Sequence, residues 1–450
     1  MLFRSAHQPV DDKRPGLGLM MYGPWFNRHD TWAEWAKPWT DYLARSSYMM
    51  QQGRSVADIL YYYGEDNNIT GLFAHVHPDI PAGYNFDYIN ADALTRIITF
   101  RNGRLTAPSG MQYRLLVLDK NARKMSLPVL RTLARLAREG ALICGQVPEL
   151  MPSLTGDSLE FARLVREVFY SGRPNVYNYA SAATVLRANG ILPDVVVSEG
   201  NGAEGAAAHW RYVHRTTDNA EIYWLNNRTD RSRSLTVTCR TAGMKPLLWH
   251  PETGQTEELS YRVGRDATTI YLDMVPNDAV FVVFQGKAQP AEQQLPARRI
   301  TPVCQIGTNW QVTFRDNMPT EKTLVMPRLQ SYTEQSDPDI KYYSGRAVYR
   351  NRFLLPSFPL KAARYVLNLG KVGCMAQVIV NGRRQRILWK APYTVDITDA
   401  LQKGDNRIEV EVINLWANRL IGDCQPNNPK RYTYTGFPFH KNYQDRKSVV

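Results

Sequence analysis

The apolar run Val56–Tyr63 ends in Gly64-Glu65-Asp66, so two adjacent carboxylates follow what reads as a buried strand. Hydrolysis of a glycosidic bond asks for such a pair, one carboxyl protonated to donate to the leaving oxygen and one ionised to activate water or attack. Barrel enzymes carry their chemistry at the C-terminal ends of strands, which places Glu65 and Asp66 on the correct rim as catalytic candidates. The plainer reading is that they cap the next turn or pair with a nearby arginine. Upstream, Asn27, Arg28 and Trp32 bring an amide, a guanidinium and an indole together; these groups could hydrogen-bond hydroxyls and stack on the apolar face of a sugar. Trp32 could equally belong to a core. His7 joins these substrate-binding candidates, although a lone histidine, like His29 nearby, more often serves structure. Near the other end, NLWANRLIGD gathers Asn414, Trp416, Asn418, Arg419 and Asp423 after a strand. Trp416 and Asn418 would suit sugar binding or docking, and a packed tryptophan with hydrogen-bonded loop amides is the alternative.

Other chemistries find little purchase. There is no GxSxG elbow, and Leu142 stands where a cysteine elbow around Cys144 would need glycine. Neither HExxH nor an EF-hand loop occurs, so spacing assigns no metal. Gly16 and Gly18 lie outside any strand-to-helix turn, and GxxxxGK[ST] is absent, which leaves nucleotide binding without support. The cysteines (Cys144, Cys239, Cys304, Cys374, Cys424) are far apart and read as idle thiols. The formal charge of +13 invites a nucleic-acid reading, but the basic residues are dispersed. The densest set, Arg383, Arg384 and Arg386, follows an Asn-Gly turn and reads as a solvated loop. No apolar run approaches the roughly 20 residues of a membrane span, so neither membrane nor nucleic acid is expected as a partner. The opening residues lack the apolar stretch of a secretory signal.

The elements that would position these residues fall into four stretches of the 450-residue chain. From Asp30 to Gln52, the residues Trp32, Trp35, Trp39, Tyr42 and Leu43 recur at helical spacing, with Gly53 as a stop. Helix then strand is a βα-barrel rhythm, yet a complete barrel takes roughly 250 residues. Residues 1–111 are therefore expected to be the C-terminal part of a (β/α)₈ barrel. Residues 112–200 read as an open α/β domain. In it, strand Leu115–Leu118 leads to a helix with Pro128 in its first turn and Gly140 at its end. Strand Ala141–Cys144 comes next; Asp157 and Glu160 form a capping box for another helix, and Val195–Val197 is a further strand. Residues 205–290 alternate as short strands with polar turns, a small β-sandwich. Residues 300–450 alternate most clearly, with Ile408, Val410 and Val412 against Arg407, Glu409 and Glu411, and read as an antiparallel jelly roll.

Several long strings then resemble a known family. GPWFNRHDTWAEWAKPWTDYLARSSYMMQQG, ADILYYYGED and PAGYNFDYINADAL are similar to the late barrel portion of glycoside hydrolase family 106, the α-L-rhamnosidases. SGMQYRLLVLD and MSLPVLRTLARL resemble the glutamine-amidotransferase-like domain of such enzymes. IKYYSGRAVYRNRF, KVGCMAQVIVNG, ILWKAPYTVDITDAL and NLWANRLIGD resemble their galactose-binding-like jelly roll. The resemblance implies an exo-acting hydrolase that removes terminal L-rhamnose with inversion, using two glutamates and a calcium ion, with a rhamnose-containing glycan as partner. It also implies relatives that are periplasmic or secreted. The family's acid and base are expected upstream of Met1, and the closing strand of the jelly roll is expected to be missing after Val450. Only Asn27, Arg28 and Trp32 match as a rim segment. The competing expectation is a non-catalytic carbohydrate-binding or scaffolding protein.

Overall fold

The structure is a computed structural model that describes residues 14–16, 27–66, 78–153, 156–199, 209–318, 320–355, 363–426 and 431–435. The chain is multidomain and mostly β, with several sheets and few helices. It divides into two compact units, residues 44–297 and residues 1–43 with 298–450, and the helix Lys37–Met50 crosses the division. That helix begins later than its apolar spacing suggests. A 3₁₀ turn, Ala33–Trp35, precedes it, and Pro38 sits in its first turn, where a missing N–H costs nothing. Gly53 ends the segment at φ +52°, and a Cβ there would stand 2.0 Å from the Thr216 carbonyl oxygen, so only glycine fits.

Unit 44–297 opens with a five-stranded parallel sheet in the spatial order Val176–Asn178, Leu142–Gly145, Leu115–Leu118, Ile59–Tyr62, Phe86–Ile89. Its central strands are buried throughout, as strands covered on both faces must be. Leu60, Tyr62, Leu116 and Leu118 face Leu130, Leu133 and Leu136 of the helix Leu127–Glu139. Ile59, Tyr61, Leu115 and Val117 face Val185 and Leu186 of the helix Ala182–Ala188. This sheet corrects the sequence reading in one respect. Ile59–Tyr62, expected as a barrel strand, pairs directly with Leu115–Leu118, so the sheet runs across the boundary placed at residues 111 and 112. An all-apolar run carries no mark of which parallel sheet will bury it.

The same unit continues as two antiparallel sheets packed around Tyr223, Val237, Tyr261, Ile270, Val282 and Phe284. The strands Trp210–Thr216, Ala220–Asn227, Arg233–Cys239, Met244–Trp249, Thr268–Met274 and Ala279–Lys287 lie within residues 205–290, the stretch read as alternating short strands. Val195–Glu199, read as a strand of the α/β unit, instead pairs antiparallel with Arg233–Cys239 at the edge of this region.

In the other unit, a six-stranded antiparallel sheet runs Lys322–Arg328, Thr308–Phe314, Arg346–Leu355, Gly404–Ile413, Met375–Val380, Arg383–Leu388. Its core includes Phe314, Tyr343, Ala347, Val378 and Val410. Asn381 and Gly382 both take positive φ between the last paired strands, the two-residue turn that an Asn-Gly pair favours.

Candidate functional site

Glu65 and Asp66 follow the strand Ile59–Tyr62 at its C-terminal end, as expected. Strand order reverses between that strand and Leu115–Leu118, and open α/β sheets bind ligands at such a crevice. Here the chain fills the place itself. The Glu65 carboxylate accepts the Ser126 backbone N–H at 2.6 Å, and Ser126 is the N-cap of the helix Leu127–Glu139, so Glu65 occupies the position an anion takes at a helix start. Ser126 makes no side-chain cap of its own. Asp66 pairs with Lys124 at 3.0 Å. Asp119, on the neighbouring strand end, accepts the Tyr61 hydroxyl and the Asn121 N–H. All three carboxylates thus serve local structure.

The Asp157–Glu160 pair departs from a reciprocal capping box. Asp157 accepts the N–H groups of Leu159 and Glu160, while the Glu160 carboxylate turns to Arg131 at 2.9 and 2.6 Å. Cys144 is 1% exposed, and burial pushes its thiol up to about 12, which leaves it a poor nucleophile.

The remaining candidates belong to the other unit, where two distant stretches of sequence meet. The Trp416 indole N–H donates to the His29 carbonyl at 2.7 Å, and the Thr31 hydroxyl donates to the Asn414 carbonyl at 2.6 Å. Asn27 shapes this segment: its side chain accepts the His29 N–H at 2.7 Å, and its own N–H donates to Asp30 at 3.1 Å. Arg28 is exposed. Trp32 packs edge-on against Trp39 and borders the cluster of Trp35, Met375 and Ile413, so much of its ring is core. His7 lies outside the described residues.

After Trp416, the helix Ala417–Asp423 turns inward. Asn418 is 1% exposed, and among the described residues neither its oxygen nor its nitrogen meets a hydrogen-bond partner. Asp423 accepts from the N–H groups of Tyr432 and Thr433 and from the Thr433 hydroxyl, at 2.9, 2.6 and 2.6 Å. It thereby fixes a short segment whose strand Tyr434–Thr435 pairs with Pro15–Gly16. The result is a cavity of about 470 Å³ with Trp416, Tyr432, Thr433 and Tyr434 on its walls and Arg14, Asn317 and Arg431 supplying polar groups. Of its lining, only Trp416 was anticipated. The others come from residues 14, 317 and 431–434, which no sequence spacing connects. The polar and aromatic alternation of RYTYT was the one local signal available.

A calcium ion takes six to eight oxygen ligands, and among the described residues no group of three or more His, Cys, Asp or Glu side chains comes together to supply them.

A family model described as alpha-L-rhamnosidase, glycoside hydrolase family 106, matches residues 1–263. The solved structure of a rhamnosidase from Novosphingobium sp. PP1Y superposes with a TM-score of 0.88 at 38% identity, covering 96% of this chain and 42% of that one. A curated Formosa agariphila protein named "Putative beta-glucuronidase" is 23% identical, over 93% of this chain and 54% of its own length. The chain thus spans about half the length of the curated relative it matches.

Proposed function

The chain belongs to glycoside hydrolase family 106, the α-L-rhamnosidases, and on that premise we propose that it acts in removing terminal L-rhamnose from glycans. The observation that carries this reading is the likeness to a solved rhamnosidase along nearly the whole chain. The ligand contact we assign within the described residues is the cavity beside Trp416, where the exposed Tyr434 ring and neighbouring polar groups suit a sugar's mixed apolar and hydroxylated surface. Glu65 and Asp66 are set aside as the acid–base pair, because each already has a structural partner. The finer architecture belongs to the same proposal: a late barrel portion around the helix Lys37–Met50, an amidotransferase-like α/β unit, a sandwich and a galactose-binding-like jelly roll. The hairpin pairings of the six-stranded sheet support its last part. Calcium, implied by the family resemblance, belongs to the same proposal, and the chelator comparison tests it.

A second reading, a carbohydrate-binding protein without catalysis, draws on the same engagement of Glu65 and Asp66. Incubating the purified chain with an aryl α-L-rhamnoside, with and without a chelator, separates the two. Turnover is expected to release rhamnose first as the β-anomer, the inverted product, read by proton NMR before mutarotation. Binding of rhamnosyl oligosaccharides without turnover would establish the second reading instead. Neither turnover nor binding would defeat both.

A further inference from the structure

We propose that the cavity beside Trp416 binds an anionic sugar, with the guanidinium groups of Arg14 and Arg431 on its carboxylate or sulfate. The inference rests on the reading above that glycans are the ligands of this chain. Two cations and no Asp or Glu are found among the described lining residues. Like charges gathered at one concave surface repel each other, and an anion placed between them turns that repulsion into attraction. Guanidinium is also the group whose planar fork matches carboxylate and sulfate oxygens two at a time. Arg14 spends one donor on Asn317 at 3.3 Å and Arg431 spends Nε on the Thr433 carbonyl at 2.9 Å, which orients both groups and leaves further N–H donors.

The rest of the wall points to a sugar rather than a bare anion. Trp416 is 6% exposed and held by its bond to the His29 carbonyl, so it backs the wall, while Tyr434, 44% exposed, presents aromatic surface beside the basic groups. Asp423 holds Tyr432 and Thr433 in place from behind, while Arg419 lies over the Tyr432 ring at 4.6 Å. A wall fixed in this way loses little conformational freedom on binding. The volume, about 470 Å³, lies within the range of small-molecule sites.

The test compares three matched oligosaccharides ending in L-rhamnose, whose next sugar is a hexuronate, its carboxyl-reduced neutral counterpart, or a sulfated hexose, titrated calorimetrically into the full chain. Wild type is expected to prefer the anionic forms by roughly tenfold, about 1.4 kcal/mol. Arg14→Gln and Arg431→Gln should each cut that preference about threefold, and the double variant should abolish it. Arg265→Gln, at an exposed arginine elsewhere on the chain, should leave the preference intact. Equal affinity for charged and neutral forms overturns the proposal, as does a preference that survives the double variant or falls as far with Arg265→Gln. The better of the two anionic forms identifies the acid group. Anionic preference without binding or cleavage of the neutral rhamnoside would sink the rhamnosidase reading and leave this one standing.

Discussion

A carboxylate at the end of a parallel strand can do chemistry or hold a turn, and at Glu65 the hydrogen bond to Ser126 N supports the second. Ser126 gives its helix no side-chain cap, so the reach of Glu65 across the crevice supplies an acceptor and a negative charge where the helix dipole favours one. Glu65→Ala should therefore lower stability by about 1 kcal/mol, the usual worth of an N-terminal cap, and Glu65→Gln by less, since an amide oxygen can still accept. Urea midpoints of the two variants check this. Whatever rhamnoside turnover the chain supports should stay within about twofold, whereas loss of a general acid or base would cost roughly a hundredfold or more. The two outcomes do not overlap. Sequence made Glu65 visible as a candidate and also offered capping as its plainer role, but it could not name Ser126 as the partner, because that contact joins residues 61 positions apart. Trp416 shows the same limit. Its type and its amide-rich setting were legible; its bond to the backbone at His29 was not.

At the scale of elements, polar residues hold the parallel sheet and the sandwich together within unit 44–297. Asp58, just before the strand Ile59–Tyr62, accepts from Arg240, which follows the strand Arg233–Cys239, at 2.9 and 3.0 Å, and forms an ion pair with Arg114 at 3.0 Å. Beside it, His214 on the strand Trp210–Thr216 lies between Asp194, at 3.0 Å, and Glu221, at 2.8 Å, with its ring stacked on Tyr223. Burial pushes the His214 pKa down, but the hydrogen bonds and charges of the two carboxylates outweigh it, and the net direction is up. A histidine whose folded pKa is raised adds stability that is fully present below its unfolded value, about 6.5, and is lost as pH climbs through the folded value. Urea unfolding of wild type and His214→Gln from pH 5 to 9 should thus show a gap that is widest at acid pH and narrows on the alkaline side. A gap independent of pH would remove His214 from this role. The alternation of the sandwich strands was plain in the sequence because period-two patterning survives wherever one face is wet. The allocation of Ile59–Tyr62 and Val195–Glu199 to their sheets was not, since pairing partners are chosen by long-range packing.

Over the whole molecule, the net charge of +13 must be weighed against the small number of cations that any one ligand meets. Much of the basic charge is spent on acidic neighbours, as in the pairs Arg131–Glu160, Arg233–Glu199 and Arg350–Glu409. Salt dependence counts the cations a polyanion actually meets: six to ten phosphate contacts lose about 10³- to 10⁵-fold in affinity between 50 and 200 mM salt. A glycan held by Arg14 and Arg431 meets two, at a concave site where the aromatic contacts are indifferent to salt. Its affinity should fall no more than about fivefold over that interval, and the affinity for the neutral rhamnosyl form should not change. Duplex DNA, which could engage only scattered basic side chains, should bind weakly at low salt and be released well before 200 mM. Titrations of the hexuronate-bearing glycan and of DNA at 50, 100 and 200 mM salt measure both slopes. A glycan slope as steep as that of DNA would mean that overall charge, rather than the two arginines beside Trp416, gathers the ligand.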